Sequence, residues 1–266
     1  MIERGFERRR AELPSGPLDY YVAGEGAPLV YLHSAGGTRL TEPLERLAES
    51  HTVYVPVVPG FDGTERVPGI DTVQRLAEHI ADFIAEITSG RVDIVGHSFG
   101  GWTALRVALT APDRIGQLVL EAPAGLHSND SVPQGGTPDE VQRRFYAYPE
   151  RIDPNERTPE IVEGNRAAFA AYRGASTDPS GVDAELLARL GEIEAWTLVL
   201  LGTKDGVVPA STGQLLKNRL QHAYLMYVYD AAHGIEIDQP ERFDRLVGEF
   251  LRRGEAFIIN FGSNAD

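Results

Sequence analysis

The chain has 266 residues, no cysteine and a formal net charge of −14, which excludes a disulfide framework or a cysteine-based zinc site and argues against a nucleic-acid partner. Its length and composition suit one large α/β domain with an inserted subdomain, and no stretch approaches the roughly 18 apolar residues of a membrane span. The charged segment Met1 to Arg10 lacks the apolar core of a signal peptide, so a soluble, cytoplasmic protein with no membrane partner is expected.

Phe6 to Leu13 and Leu18 to Ala23 are short strand-like segments on either side of Pro14-Ser15-Gly16-Pro17, which predicts an antiparallel hairpin. Pro28 to Leu32 is a continuous apolar run, as expected of a strand buried on both faces, and it opens into the Gly-rich loop His33 to Thr38. A helix over Thr38–Ser50, a strand over Thr52–Val58 and an amphipathic helix over Thr72–Ile87 then alternate, the signature of a parallel sheet. Val92 to Val95 reads as the next strand, with a helix from Ser98 to Ala111 and a strand from Gln117 to Glu121. Between Leu126 and Leu190 no clean strand is found, only helical stretches near Asp139–Tyr148, Thr158–Arg173 and Asp183–Leu190. The alternation resumes with a strand at Trp196–Gly202, a helix at Ala210–Leu220, a strand at Ala223–Tyr229 and a closing helix near Pro240–Arg252. The apolar tail Phe257 to Phe261 suits a docked strand or a contact in a homodimer.

Within this plan Gly96-His97-Ser98-Phe99-Gly100 places a serine on a sharp strand-to-helix turn, the glycines leaving room where a side chain would meet backbone. A serine at a helix start lies beside N–H groups without an intrahelical partner, which can stabilise a developing negative charge. A serine hydroxyl is a weak nucleophile until an imidazole takes its proton, and a carboxylate must hold that imidazole in the right tautomer. His233 follows the last strand, on the same sheet rim as Ser98, and Asp205 follows the preceding strand, which gives the order Ser, Asp, His. Glu121, Asp230 and Asp238 are the alternative acids.

Gly96-His97-Ser98-Phe99-Gly100-Gly101, His33-Ser34-Ala35-Gly36, Pro59-Gly60-Phe61-Asp62-Gly63, Gly202-x-x-Asp205 and Ala232-His233 followed by Pro240 together resemble the α/β-hydrolase fold from about Pro28 to Leu251. The resemblance implies an eight-stranded, mostly parallel sheet flanked by helices, with a helical cap inserted after strand six. Residues 1–125 and 191–266 would form the core and 126–190 the cap. It also implies a Ser98, Asp205, His233 triad, and an oxyanion hole from the N–H of Phe99 and that of Ala35. The family's loop usually begins His-Gly where this chain has His33-Ser34, so Ser34 is the alternative second donor.

No cofactor and no metal is called for by this chemistry, and the partner is a small-molecule substrate. Hydrolysis of an ester of small-to-medium apolar groups is the leading expectation. Carbon–carbon hydrolysis of vinylogous diketones is the alternative, because the cap and the run Gly202 to Pro209 look like those of meta-cleavage product hydrolases. That subgroup tends to have Asn where His97 stands and Trp where Gly234 stands. A ligand-sensing protein with little turnover is the third reading. Substrate choice is assigned to the inserted segment, with Phe145, Tyr148 and Phe169, together with Ser34 and Trp102, expected to line the pocket. Arg143, Arg144, Arg166 and Arg173 are the basic residues there that could meet a substrate carboxylate.

Overall fold

Residues 29–32 and residues 92, 94 and 95 are apolar because they run through the middle of a sheet with both faces covered. A computed structural model describes residues 5–153 and 156–258. Its strands are β1 (Glu7–Leu13), β2 (Gly16–Ala23), β3 (Ala27–Leu32), β4 (His51–Pro56), β5 (Val92–His97), β6 (Ile115–Glu121), β7 (Trp196–Gly202) and β8 (Ala223–Val228). They form one eight-stranded sheet in the order β1-β2-β4-β3-β5-β6-β7-β8. β2 pairs antiparallel with β1 and with β4, and all other neighbours are parallel.

Parallel neighbours require crossovers, and helices supply them. The helices are α1 (Glu42–Leu47), α2 (Val73–Ile87), α3 (Phe99–Thr110), α4 (Pro138–Phe145), α5 (Pro159–Ser176), α6 (Ala184–Arg189), α7 (Ala210–Arg219), α8 (Ile235–Asp238) and α9 (Pro240–Arg253). Alternate residues of one strand enter different cores. Val30, Leu32 and Ile94 pack with Leu76, Ile80 and Phe83 of α2 and Leu105 of α3. Leu29, Tyr31 and Val95 pack with Leu44 and Leu47 of α1 and Phe243, Val247 and Phe250 of α9. The period-2 alternation of each strand thus feeds two helical layers, one on each face.

Helix α1 is shorter than the predicted Thr38–Ser50. Pro43 fits only the first turn, so the helix begins at Glu42. Upstream, Thr38 N–H donates to Asp62 Oδ2 at 2.7 Å and Thr41 Oγ1 to Glu236 Oε2 at 3.3 Å, so this stretch is held by side chains rather than by helical bonds. Of the apolar tail, Phe257 packs against Tyr224 and Phe250, each at 5.5 Å between ring centres. The remainder, residues 259–266, lies outside the described residues. Among the described residues no helix is long and apolar enough to cross a membrane.

The segment between β6 and β7 holds α4, α5 and α6 and, among the described residues, contributes no strand. Thr137 and Glu140 cap α4 reciprocally, while Thr158 and a first-turn proline start α5. The segment is fastened to the core through Asp183, which caps α6 by accepting from Leu186 N–H at 3.0 Å. Its Oδ2 also accepts from Trp102 Nε1 at 2.7 Å and from Arg106 Nε at 2.9 Å, both on α3. Arg106 is 4 % exposed and Asp183 1 %. Removing one partner of so buried a pair leaves an uncompensated charge, so Asp183→Ala should lower unfolding stability by about 3–5 kcal/mol in urea titrations. A loss under about 1 kcal/mol would mean that Gln74 and Glu185 alone hold Arg106.

Candidate active site

Ser98 connects β5 to α3 with φ 55° and ψ −108°, a left-handed conformation that costs a non-glycine residue of order 1–3 kcal/mol. The surroundings hold it there. Ser98 N–H donates to Glu121 O at 2.8 Å, and its carbonyl accepts from Trp102 N–H and Ala124 N–H, each at 3.0 Å. The flanking glycines are steric necessities. A Cβ on Gly96 would lie 2.5 Å from Gly100 O, and one on Gly100 would run into the Leu32 carbonyl of β3. Both small residues let α3 settle close enough on β3 for the turn to be sharp.

His233 is 3 % exposed, in the loop after β8. Its Nδ1 lies 3.1 Å from Asp205 Oδ2, in the loop after β7. Asp205 Oδ1 accepts from Val207 N–H at 2.7 Å and Val208 N–H at 2.9 Å, which aims the other oxygen at the imidazole. A carboxylate only accepts, so the ring proton sits on Nδ1 and Nε2 carries the lone pair of a base. The other three acids are engaged elsewhere. Glu121 Oε1 accepts from Glu236 N–H at 3.1 Å. Asp230 meets Lys204 and Tyr148. Asp238 Oδ2 accepts from Ala232 N–H at 2.8 Å and Ala147 N–H at 2.9 Å.

His97, adjacent to the serine, donates from Nε2 to the carbonyl oxygen of His233 at 3.1 Å, with ring centres 5.0 Å apart. Burial, and then the neighbouring His233, push its pKa well below the usual histidine value, so it is a neutral hydrogen-bond donor. His33 fixes the opposite loop. Its Nε2 accepts from Val58 N–H at 3.1 Å and its Nδ1 donates to Ser34 O at 2.8 Å, a neutral tautomer that burial favours by lowering the pKa.

A cavity of about 870 Å³ opens over the serine, lined by Ser98, Ala35, Trp102, Phe145, Phe169 and Val132, with Arg166 and Arg173 at its border. Phe99 begins α3, so its N–H has no intrahelical acceptor, and Ala35 borders the same cavity as Ser98. Phe145 presents its ring edge-on to His233 at 5.8 Å. Trp102 lines the cavity with its ring while Nε1 is bonded to Asp183.

Two residues expected in the pocket stand elsewhere. Tyr148 bonds through its hydroxyl to Asp230 and through its N–H to Asp238 Oδ1 at 3.1 Å, which turns it away from the serine. Ser34 is used in its own turn, its hydroxyl accepting from Gly36 N–H at 3.3 Å and its carbonyl from Gly37 N–H at 3.0 Å. It borders a separate small cavity instead. Of the four arginines, Arg143 pairs with Asp139 at 2.9 Å and Arg144 donates to Pro133 O at 2.9 Å, both on the exposed side.

Sequence reasoning missed Arg39, Arg157 and Asn165, which also line the large cavity. Arg39 forks onto Glu156 at 2.9 and 2.7 Å and donates to Tyr146 Oη at 3.1 Å, while Arg157 meets Asp62 at 3.4 Å. Asn165 Nδ2 donates to Gly36 O at 2.9 Å and Oδ1 accepts from Asp62 N–H at 2.7 Å, tying α5 to the loop of Ala35. Isolated polar residues far apart in the chain carry no local pattern that could have announced this.

A model of the alpha/beta hydrolase family matches residues 29–246. The chain belongs to the alpha/beta hydrolase family. The hydrolase is 29 % identical over 262 residues to the 2-hydroxymuconate semialdehyde hydrolase of Pseudomonas sp. (strain CF600), covering 90 % of this chain and 91 % of that one. It is 26 % identical over 276 residues to the 2-hydroxy-6-oxo-6-phenylhexa-2,4-dienoate hydrolase of Comamonas testosteroni, covering 89 % and 91 %. Among solved structures, a serine hydrolase involved in carbazole degradation superposes with a TM-score of 0.73 at 24 % identity, covering 93 % of this chain and 99 % of that one. The naproxen esterase of Bacillus subtilis superposes with a TM-score of 0.74 at 15 % identity, covering 92 % and 91 %. Both show the shared fold.

The packing of the turn makes a paired prediction for this hydrolase. Gly100→Ala should yield no stable folded protein, because its Cβ meets backbone that cannot give way. Gly248→Ala, in α9 with nothing within 4 Å of its Cβ, should be neutral or raise stability by up to about 1 kcal/mol. Soluble expression and thermal melting of the two variants check this.

Proposed function

We propose that this hydrolase cleaves the carbon–carbon bond of a 2-hydroxy-6-oxo-dienoate type of acid through an acyl-enzyme on Ser98. The observation that carries the reading is the set of relatives named for such substrates, whose likeness runs over 86–90 % of this chain. An amphipathic cavity, apolar around Phe145, Phe169 and Trp102 and bordered by Arg166 and Arg173, suits an apolar chain ending in a carboxylate.

In this reading Asp205 keeps the proton on His233 Nδ1, so Nε2 takes the Ser98 proton as Oγ bonds to the ketone carbon. The N–H groups of Phe99 and Ala35 meet the oxyanion. The dienol must first pass to its keto form, the 2-hydroxyl proton moving to C5. When the tetrahedral adduct then collapses, the carbon–carbon bond breaks and its electron pair passes into the vinylogous keto acid as a dienolate, whose oxygen is protonated by the imidazolium. His233 then deprotonates a water that hydrolyses the acyl-enzyme and frees Ser98. The segment 126–190 serves as a cap that excludes bulk water and selects the acyl part through Phe145 and Phe169.

Ester hydrolysis by the same triad is the second reading, favoured by the two departures from the meta-cleavage pattern, His97 and Gly234. At Gly234 the departure has a partner in space. A Cβ there would lie 2.7 Å from the Tyr146 ring, so an aromatic residue of the inserted segment fills the space beside it.

Two measurements test the proposal. Consumption of a coloured 2-hydroxy-6-oxo-dienoate should proceed with a kcat/KM at least about 100-fold above that for p-nitrophenyl acetate and butyrate, and the reverse ranking would make the protein an esterase. Ser98→Ala and His233→Ala should each lower turnover of the preferred substrate by several orders of magnitude, and Asp205→Asn by about 10⁴-fold, with unchanged circular dichroism. Retention of turnover within tenfold would remove the affected residue from the triad.

A further inference from the structure

Directly behind the triad lies a cluster that the proposed reaction does not use. His97 at the end of β5, Glu121 at the end of β6 and Glu236 on α8 bring one potential ligand atom each to within 4.8 Å of one another. His97 is 6 % exposed, Glu121 0 % and Glu236 4 %. We propose that His97 Nδ1, Glu121 Oε2 and a Glu236 carboxylate oxygen hold a divalent first-row cation of the zinc class, with a water as fourth ligand.

The hydrogen bonds around the three side chains leave His97 Nδ1 and Glu121 Oε2 free for a cation and leave each Glu236 oxygen with one lone pair. His97 donates its Nε2 proton to the His233 carbonyl at 3.1 Å, which puts the lone pair of the neutral ring on Nδ1, facing Glu236 Oε1 at 3.9 Å. That distance is too long for a hydrogen bond. Metal-bound histidines are commonly oriented by such an N–H to carbonyl bond. Glu121 spends Oε1 on the Glu236 N–H at 3.1 Å, whereas its Oε2 is buried with no hydrogen-bond partner. Glu236 is steadied by Tyr31 Oη at 2.9 Å and Thr41 Oγ1 at 3.3 Å, donors of the kind that orient ligating carboxylates. Ligands about 2.1 Å from a tetrahedral zinc stand about 3.4 Å apart, so the three atoms would close inward by up to about 1.4 Å on binding the ion.

The charge around the cluster points the same way. Two carboxylates, Glu121 and Glu236, are buried side by side at the end of β6 and in α8. The cations nearest to them, Arg39 and Arg157, border the same small cavity but pair with Glu156 and with Asp62 and Glu156. A proton shared between the two carboxylates would ease their repulsion yet leave the lone pair of His97 Nδ1 unmet, whereas a cation satisfies all three. The fourth position has room, since a cavity of about 30 Å³ lined by Tyr31, Ser34, His97 and Glu236 is large enough for a water. One imidazole, two carboxylates and a water form a ligand set suited to zinc or manganese. Such an ion would pin the ends of β5 and β6 to the loop of His233, a structural task separate from the bond cleavage.

Full-length protein stripped with EDTA and titrated with Zn²⁺ decides the matter. One equivalent should bind with an EDTA-reversible rise in Tm of several degrees, and Co²⁺ in its place should give d–d absorption bands of a low-coordinate site. Glu121→Gln, folded by circular dichroism, should weaken Zn²⁺ at least about 100-fold and abolish the Tm rise, with Glu236→Gln as the second variant. Equal Zn²⁺ uptake by wild type and a folded variant would mean adventitious surface binding, and no stoichiometric Tm rise in wild type would mean that the carboxylates share only a proton. Either result overturns the proposal, and the second needs no variant.

Discussion

The approach of α3 to β3 is the constraint on which the rest of this molecule depends. Helix and strand lie so close that Gly100 has no room for a Cβ beside the Leu32 carbonyl, and Gly96 has none beside Gly100. That closeness forces Ser98 into a left-handed conformation and stands its side chain at the rim of the sheet rather than inside a core. The strain is local, but it is held by many groups. The β6 end supplies the Glu121 carbonyl to Ser98 N–H, Trp102 and Ala124 occupy the Ser98 carbonyl, and α3 is buried from Phe99 to Ala108.

From that fixed turn the other groups are placed by the parallel sheet. From β3 to β8 the strands run parallel and leave at the same edge, so the loops after β3, β5, β7 and β8 converge although they lie far apart in the sequence. Ala35, Ser98, Asp205 and His233 belong to those loops. The inserted segment then locks onto two of them through backbone: Gly234 N–H donates to Phe145 O at 2.9 Å and Gly206 N–H to Arg144 O at 3.2 Å. Asp238 bridges Ala232 to Ala147 in the same manner. The strap from Arg144 to Tyr148 is therefore part of the frame that holds His233 and Asp205, and its Phe145 lines the cavity.

Charge is distributed with the same economy. Despite a net charge of −14, three of the little-exposed arginines are matched one by one, Arg39 by Glu156, Arg157 by Asp62 and Arg106 by Asp183. Buried pairs of this kind fix geometry more than they add stability, because each guanidinium gives up its hydration to form them. Two of these pairs join the inserted segment to the loops of the core, Glu156 and Arg157 lying in it and Arg39 and Asp62 in the loops after β3 and β4.

By itself the sequence determined what depends on neighbours in the chain. Apolar runs separated by amphipathic stretches specify alternating strands and helices, Gly96-x-Ser98-x-Gly100 specifies the sharp turn, and the order Ser98, Asp205, His233 follows from loops at successive strand ends. Only the tertiary structure decided questions of distance between remote residues. It brought Asp205 rather than Glu121 to His233 Nδ1, turned Tyr148 outward onto Asp230 and Asp238, and put Ser34 into its own turn. It also gathered His97, Glu121 and Glu236 behind Ser98 and His233, from three elements with no common spacing. The reason is physical: periodicity and turn chemistry act over a few residues, whereas a hydrogen bond is decided within about 3 Å by side chains that folding alone makes neighbours.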